Sequence, residues 1–164
     1  MRVTFFFLGM LFILFTSCEK PQEFSPIPEI ELISTTLKQN IDQNLVEATI
    51  SFSFVDGDGD LGLEQSDTNG LFAPGEAYYY NLIFDFYEKK NDTLKLSPRK
   101  DYYRFQNISK SQTTNKVLKG DMEVTINFEN SLSFSDTSLF RFYIYDRALN
   151  KSNVLETDEI YLNE

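Results

Sequence analysis

The sequence predicts an all-β domain, an antiparallel sandwich of seven or eight short strands. Three observations lead there. The chain has 16 Phe and 9 Tyr but no Trp, only 7 Gly and 5 Pro, and aromatic-rich composition of this kind favours pleated, half-buried surfaces. Apolar residues repeat every second position in several separate runs, as in strands with one face buried. Turn signals separate these runs, and no stretch keeps an apolar helical period over about ten residues. A closed barrel is the rival architecture.

The runs follow in order. Residues 29–36 form an expected first strand. The clearest is 45–55: Ala48, Ile50, Phe52 and Phe54 share one face, and Thr49, Ser51 and Ser53 the other. Residues 78–88 are the next expected strand, ending in the hairpin signal Lys89-Lys90-Asn91-Asp92, with 93–96 as its return. Residues 102–108 are expected as a further strand before the polar stretch Ser109–Asn115. Met122, Val124, Ile126 and Phe128 alternate with Glu123, Thr125 and Asn127. Phe140, Phe142 and Ile144 alternate with Arg141 and Tyr143, and residues 154–162 close the chain.

The start of the chain reads as an address. Arg2 precedes an apolar run, Val3 to Phe15, broken only by Thr4 and Gly9; small residues Thr16 and Ser17 follow, then Cys18. This is the layout of a secretory signal, and the run is short of the roughly 20 residues that span a bilayer. Leu14-Phe15-Thr16-Ser17-Cys18 resembles the lipobox of bacterial lipoproteins, although that family favours Leu where Phe15 stands and Gly or Ala where Ser17 stands. The resemblance implies a signal peptide over 1–17, removed before Cys18. It further implies a diacylglycerol on the Cys18 thiol and anchoring to a membrane of the cell envelope. Several acyl chains anchor stably where one is marginal. An uncut anchor with an incidental cysteine is the alternative. Residues 18–28, with Pro21, Pro26 and Pro28, read as an extended tether, and 29–164 as the sandwich domain. Glu19 and Glu23 resemble, in scattered form, the acidic export signals of Bacteroidetes-type surface lipoproteins. Periplasmic and surface-facing placements therefore both stay open.

The strongest internal motif is Asp56-Gly57-Asp58-Gly59-Asp60-Leu61-Gly62. Alternating carboxylates on a flexible backbone can wrap oxygen ligands around one Ca²⁺. Three such charges repel without a cation or water between them. Asp56, Asp58 and Asp60 fit the first half of the calcium loop D-x-[DN]-x-[DN]-G, and Glu64 and Asp67 fall at its later ligand places. Leu61 stands where that loop needs Gly, and no helix flanks it, so this is not an EF-hand. Asp56 continues the parity of Phe52 and Phe54, as Asp146 continues that of Phe142 and Ile144. On the second and sixth strands of a sandwich, both would reach the same pole, with Asn150 or Asn153 nearby. The expected cation set is Asp56, Asp58, Asp60 and Asp146, with Glu64, Asp67 and Asn150 as additional ligands. The alternative is a solvated turn whose aspartates cap backbone N–H groups.

Phe142 to Asn153, a strand ending in Asp followed by a loop with Asn and Ser, resembles the end of many bacterial immunoglobulin-like modules. That resemblance implies an immunoglobulin-like sandwich. With the Asp-Gly repeat, the chain resembles small Bacteroidetes-type lipoproteins, and the resemblance supplies no activity.

The remaining composition narrows function by chemistry. Net charge is −10, and −11 once Arg2 leaves with the signal. Nucleic-acid binding, which depends on Lys and Arg contacting phosphates, is not expected. The single cysteine excludes an internal disulfide, and the absence of His removes the usual general base and zinc ligand. Lys89, Lys90, Lys95, Arg99 and Lys100, the only basic density, read as solvated hairpin charges. The expected role is a non-catalytic envelope binding or structural module with an unidentified protein or glycan partner. Tyr78-Tyr79-Tyr80 and Tyr102-Tyr103 offer ring faces for a glycan, and the long loop 64–76 is a second place for function. A hydrolase using two of the aspartates is the enzymatic alternative.

Overall fold

The computed structural model describes residues 23–40, 45–107, 117–129 and 137–161. The expected signal peptide, Cys18, the segment Ile108–Asn115 and Leu162 lie outside these residues. Seven strands follow in order: β1 Glu29–Asn40, β2 Leu45–Asp56, β3 Leu82–Lys90, β4 Thr93–Tyr103, β5 Leu118–Glu129, β6 Ser138–Ile144 and β7 Leu155–Glu156. The only helical piece among the described residues is a 3₁₀ turn, Gly70–Phe72, and no helix there is long and apolar enough to cross a membrane.

All pairings between these strands are antiparallel, in two sheets ordered β1-β2-β5 and β4-β3-β6-β7. Consecutive strands β2 and β3, and β5 and β6, lie in different sheets, so the chain crosses between layers as in an immunoglobulin-like sandwich. Alternation does the sorting. Along β2, every second residue from Val46 to Asp56 is buried. Phe84 and Phe86 of β3, Ile126 and Phe128 of β5, and Phe140, Phe142 and Ile144 of β6 turn inward to meet them in one core. The sheets touch through rings: Phe52 lies 5.1 Å from Phe142, and Phe86 lies 5.5 Å from Phe128. Each buried Phe contributes roughly 1.5–3 kcal/mol.

The first strand runs on to Asn40 rather than ending at residue 36, and three further boundaries differ from expectation. The strand expected from Tyr78 begins at Leu82; Asn81 pairs through its backbone with Tyr103 (3.1 Å) and Tyr145 (2.9 Å), and its side chain makes the last rung. Its Oδ1 accepts from Phe105 N–H at 2.8 Å and its Nδ2 donates to Phe105 C=O at 3.0 Å. Upstream, Tyr78 N–H turns back to Leu71 C=O. The segments 93–96 and 102–108 were expected as two strands, yet 93–103 is a single strand, β4. A bulge opposite Phe86 absorbs Ser97, Pro98 and Arg99, shifting the register between the Asp85–Lys100 and Tyr87–Leu96 pairs. Pro98 is tolerated because β4 is an edge strand. The closing strand is broken into Leu155–Glu156 plus single bridges at Lys151 and Ile160.

Candidate metal centre

The acidic loop is delivered by the core strands themselves. β2 carries its inward parity one two-residue repeat past Phe54, so Asp56 is fully buried at the end of an apolar face. β6 does the same on the opposite sheet: Asp146 follows Ile144 inward and is 1% exposed. An isolated bridge between Leu61 and Asp146 joins the two strand ends, and Leu61 is itself buried in the core. The parity argument therefore holds, and both acids occupy one pole of the sandwich.

The loop folds back tightly to make this possible. Gly59 and Gly62 have φ of 73° and 91°, a left-handed backbone that glycine adopts freely. Leu61 N–H donates to Asp56 Oδ2 at 2.9 Å, and Ala148 N–H donates to Asp60 Oδ2 at 3.0 Å. One oxygen each from Asp56, Asp58 and Asp60 comes together, all within 4.8 Å of one another. These three acidic residues can bind a metal ion. Asp56 Oδ1 and Asp60 Oδ1 are buried and have no hydrogen-bond partner. Orphaned buried acceptors are rare and costly in folded proteins.

The electrostatics agree with the geometry. Burial, then the Asp58 charge, pushes the Asp56 carboxyl from 3.8 up to about 7; Asp60 and Asp146 add to this, and the Leu61 N–H opposes it. Burial, then Asp146 and Asp58, raises Asp60 to about 6. Burial also raises Asp146, against two bonds from Asn150. Negative charge is thus disfavoured at this pole unless something positive arrives.

The other expected ligands stand apart from the trio. Asp146 adds its field to Asp56 and Asp60, but both its oxygens are already engaged. Asn150 N–H donates to Oδ1 at 2.7 Å and Asn150 Nδ2 to Oδ2 at 2.8 Å, closing the turn over 146–150. Asn150 accordingly holds Asp146. Asp67 accepts from Glu64 N–H at 2.7 Å and pairs with Arg147 at 3.1 Å. Glu64 is exposed and enters through its backbone. Asn153 reaches across the sandwich to β1: its Oδ1 accepts from Ile30 N–H and its Nδ2 donates to Ile30 C=O, both at 2.8 Å.

Arg104 has a role that the sequence did not signal. Its guanidinium donates to the carbonyls of Tyr79 (2.7 Å), Asp67 (2.8 Å) and Glu64 (3.2 Å), pinning the loop between β2 and β3. These partners lie 25 to 40 residues away, and no local pattern announces such a contact. The two tyrosine clusters meet on the outside of the four-stranded sheet. Tyr103 turns inward onto Phe84 at 5.8 Å, while the exposed rings of Tyr102 and Tyr80 stack 5.5 Å apart at 27°. They border a cleft of about 290 Å³ with Glu76 and Ile83. Among the basic residues, Lys89 pairs with Glu159, Lys90 with Glu88, Arg99 with Asp101 and Lys100 with Asp85.

Comparison of the chain with protein-family models, with curated proteins and with solved structures returns no match.

Proposed function

We propose that the chain is a lipid-anchored, non-catalytic module of the cell envelope whose Asp56–Asp60 loop binds one structural Ca²⁺. The observation that carries the cation reading is Asp56, a fully buried carboxylate with an unpartnered oxygen beside two further carboxylates. An all-oxygen, all-carboxylate donor set suits a hard cation, and an irregular glycine-rich loop suits Ca²⁺ better than the strict octahedron of Mg²⁺. The ion would neutralise the pole, with solvent completing the shell beside exposed Asp58. The trio offers three carboxylate oxygens within 4.8 Å of one another, an arrangement that suits a shared cation. The anchor is supported by the apolar run, the small residues and the position of Cys18.

Calorimetric titration with CaCl₂ tests the cation reading, with one site per chain expected and none in Asp58→Asn. A flat titration together with an unchanged melting temperature in calcium would end it. Intact mass of the natively expressed chain tests the anchor, with acylated Cys18 at the amino end expected; a Met1 terminus with a free thiol would remove it.

A second reading is glycan binding at the Tyr80–Tyr102 cleft. Two exposed stacked rings beside the Glu76 carboxylate combine an apolar platform for a sugar face with an acceptor for its hydroxyls. A glycan array probed with the full chain tests it.

A further inference from the structure

The proposed cation loop also holds the start of the domain. Gly57, between the first two aspartates of the trio, donates its N–H to Ser25 C=O at 2.9 Å. A Cβ at Gly57 would collide with the carbonyl oxygens of Ser25 and Phe24, so the incoming chain lies directly on the loop backbone. Lys119 of β5 sits 3.6 Å over the Phe24 ring from the neighbouring strand end. Ser25 Oγ accepts from Ile27 N–H, shaping the bend into β1. The last part of the tether is therefore seated on the loop that gathers three mutually repelling carboxylates.

We infer that a cation held by Asp56, Asp58 and Asp60 also fastens residues 24–27 to the sandwich, so that cation occupancy sets the length of free chain below the domain. This rests on the cation reading above. With the ion bound, the loop is drawn together and Gly57 N–H stays aimed at Ser25. Without it, carboxylate repulsion opens the loop and Ser25 loses its partner. The consequence is reach. From Cys18 to a docked Phe24 the chain extends at most about 20 Å; released as far as Glu29 it extends about 38 Å. An anchored domain would stand close to its membrane in calcium and range further from it when calcium falls.

Hydrogen exchange on the full chain tests this, read on residues 23–30 with the locally opening β3–β4 turn, residues 89–94, as control, in calcium and in chelator, beside calorimetric calcium titration. If the tether opens only when the ion leaves, exchange at 23–30 slows about a hundredfold at a calcium concentration one hundred times Kd, and the turn at the opposite pole is unchanged. Calcium binding by calorimetry with no change at 23–30 overturns the inference and leaves the cation reading standing. No calcium binding overturns both. Gly57→Ala is expected to exchange fast at 23–30 with or without calcium. Asp58→Asn, on an exposed side chain, keeps the test open should Gly57→Ala not fold. It is expected to lose calcium binding and the calcium-dependent protection together. A variant that loses the binding yet keeps that protection refutes the coupling.

Discussion

Replacing Asp56 by Asn separates a self-repelling anion pocket from an ordinary hydrogen-bonded turn. The substitution keeps the shape and an oxygen to accept the Leu61 N–H, but removes the charge. In cation-free protein the wild-type carboxyl is held near 7 rather than 3.8. At about 1.4 kcal/mol per pH unit this is at most about 4 kcal/mol of destabilisation, and solvent screening beside exposed Asp58 brings it to about 2 kcal/mol. The sign follows from proton binding. The folded state keeps a proton that the unfolded chain releases above about pH 4, so cation-free stability falls as pH rises from about 4 to about 7 and then levels off. Asp56→Asn should therefore stabilise the chelated protein by about 2 kcal/mol at about pH 8, a melting shift of about 8 °C for a domain of this size, and by little near pH 4. In calcium the order changes. At one hundred times Kd the wild type gains about 2.7 kcal/mol, roughly 10 °C, while the variant, short of a ligand, gains little. Thermal melts followed by circular dichroism, with chelator and with calcium, read all four states. A variant that melts below wild type in chelator at about pH 8 would falsify this account of the pole.

Four further outcomes are expected. Arg104→Ala should cost about 2 kcal/mol in urea unfolding and raise hydrogen exchange over residues 64–80, and Arg104→Lys should not restore it, because one ammonium cannot reach three carbonyls in the same fork. Asn153→Ala breaks a two-bond bridge between the last loop and β1, and should lower unfolding free energy by about 2 kcal/mol without altering calcium affinity. Tyr80→Ala and Tyr102→Ala should abolish any glycan-array signal of the wild type and change stability by less than about 1 kcal/mol; signal retained in both variants would move the site elsewhere. Cys18→Ser should shift the chain from the membrane to the soluble fraction on cell fractionation, and an unchanged distribution would exclude the thiol as the anchor.

What the sequence made legible was periodic. The inward faces of β2, β5 and β6 follow from alternation alone. So does the burial of Asp56 and Asp146, because a strand that keeps its parity turns every second side chain inward. Parity fails where the backbone departs from two residues per repeat. The bulge at Ser97–Arg99 merged two expected strands into β4. The side-chain rung at Asn81 cut the Tyr78 run short, because an amide that pairs with Phe105 as a backbone would is indistinguishable in sequence from any other loop Asn. The ligand spacing misled in the same way. Glu64 and Asp67 sit at the intervals of a calcium loop, but that template presumes a backbone that continues to wrap one point. Here Gly62, at φ 91°, sends the chain off beside Gln106 and Asn107, and Asp67 is taken by Arg147.

The placement of the acids has a physical logic that goes beyond this loop. A sandwich core ends where its two central strands, β2 and β6, leave the apolar layer, and the next inward residue on each must be satisfied without water. Asp146 meets that demand within its own turn, through Asn150. Asp56 meets only half of it: Leu61 covers one oxygen and the other has no donor, in a carboxylate clustered with those of Asp58 and Asp60. Replacement of Asp146 and of Asp56 should therefore differ in its dependence on calcium. Asp146→Asn turns one of the two acceptors of its own turn into a donor facing Asn150 and should destabilise in chelator and in calcium alike, by about 1–2 kcal/mol. If Asp146→Asn instead tracks Asp56→Asn, gaining stability in chelator and losing the calcium response, then Asp146 belongs to the ion and the division of labour between the two strand ends is wrong.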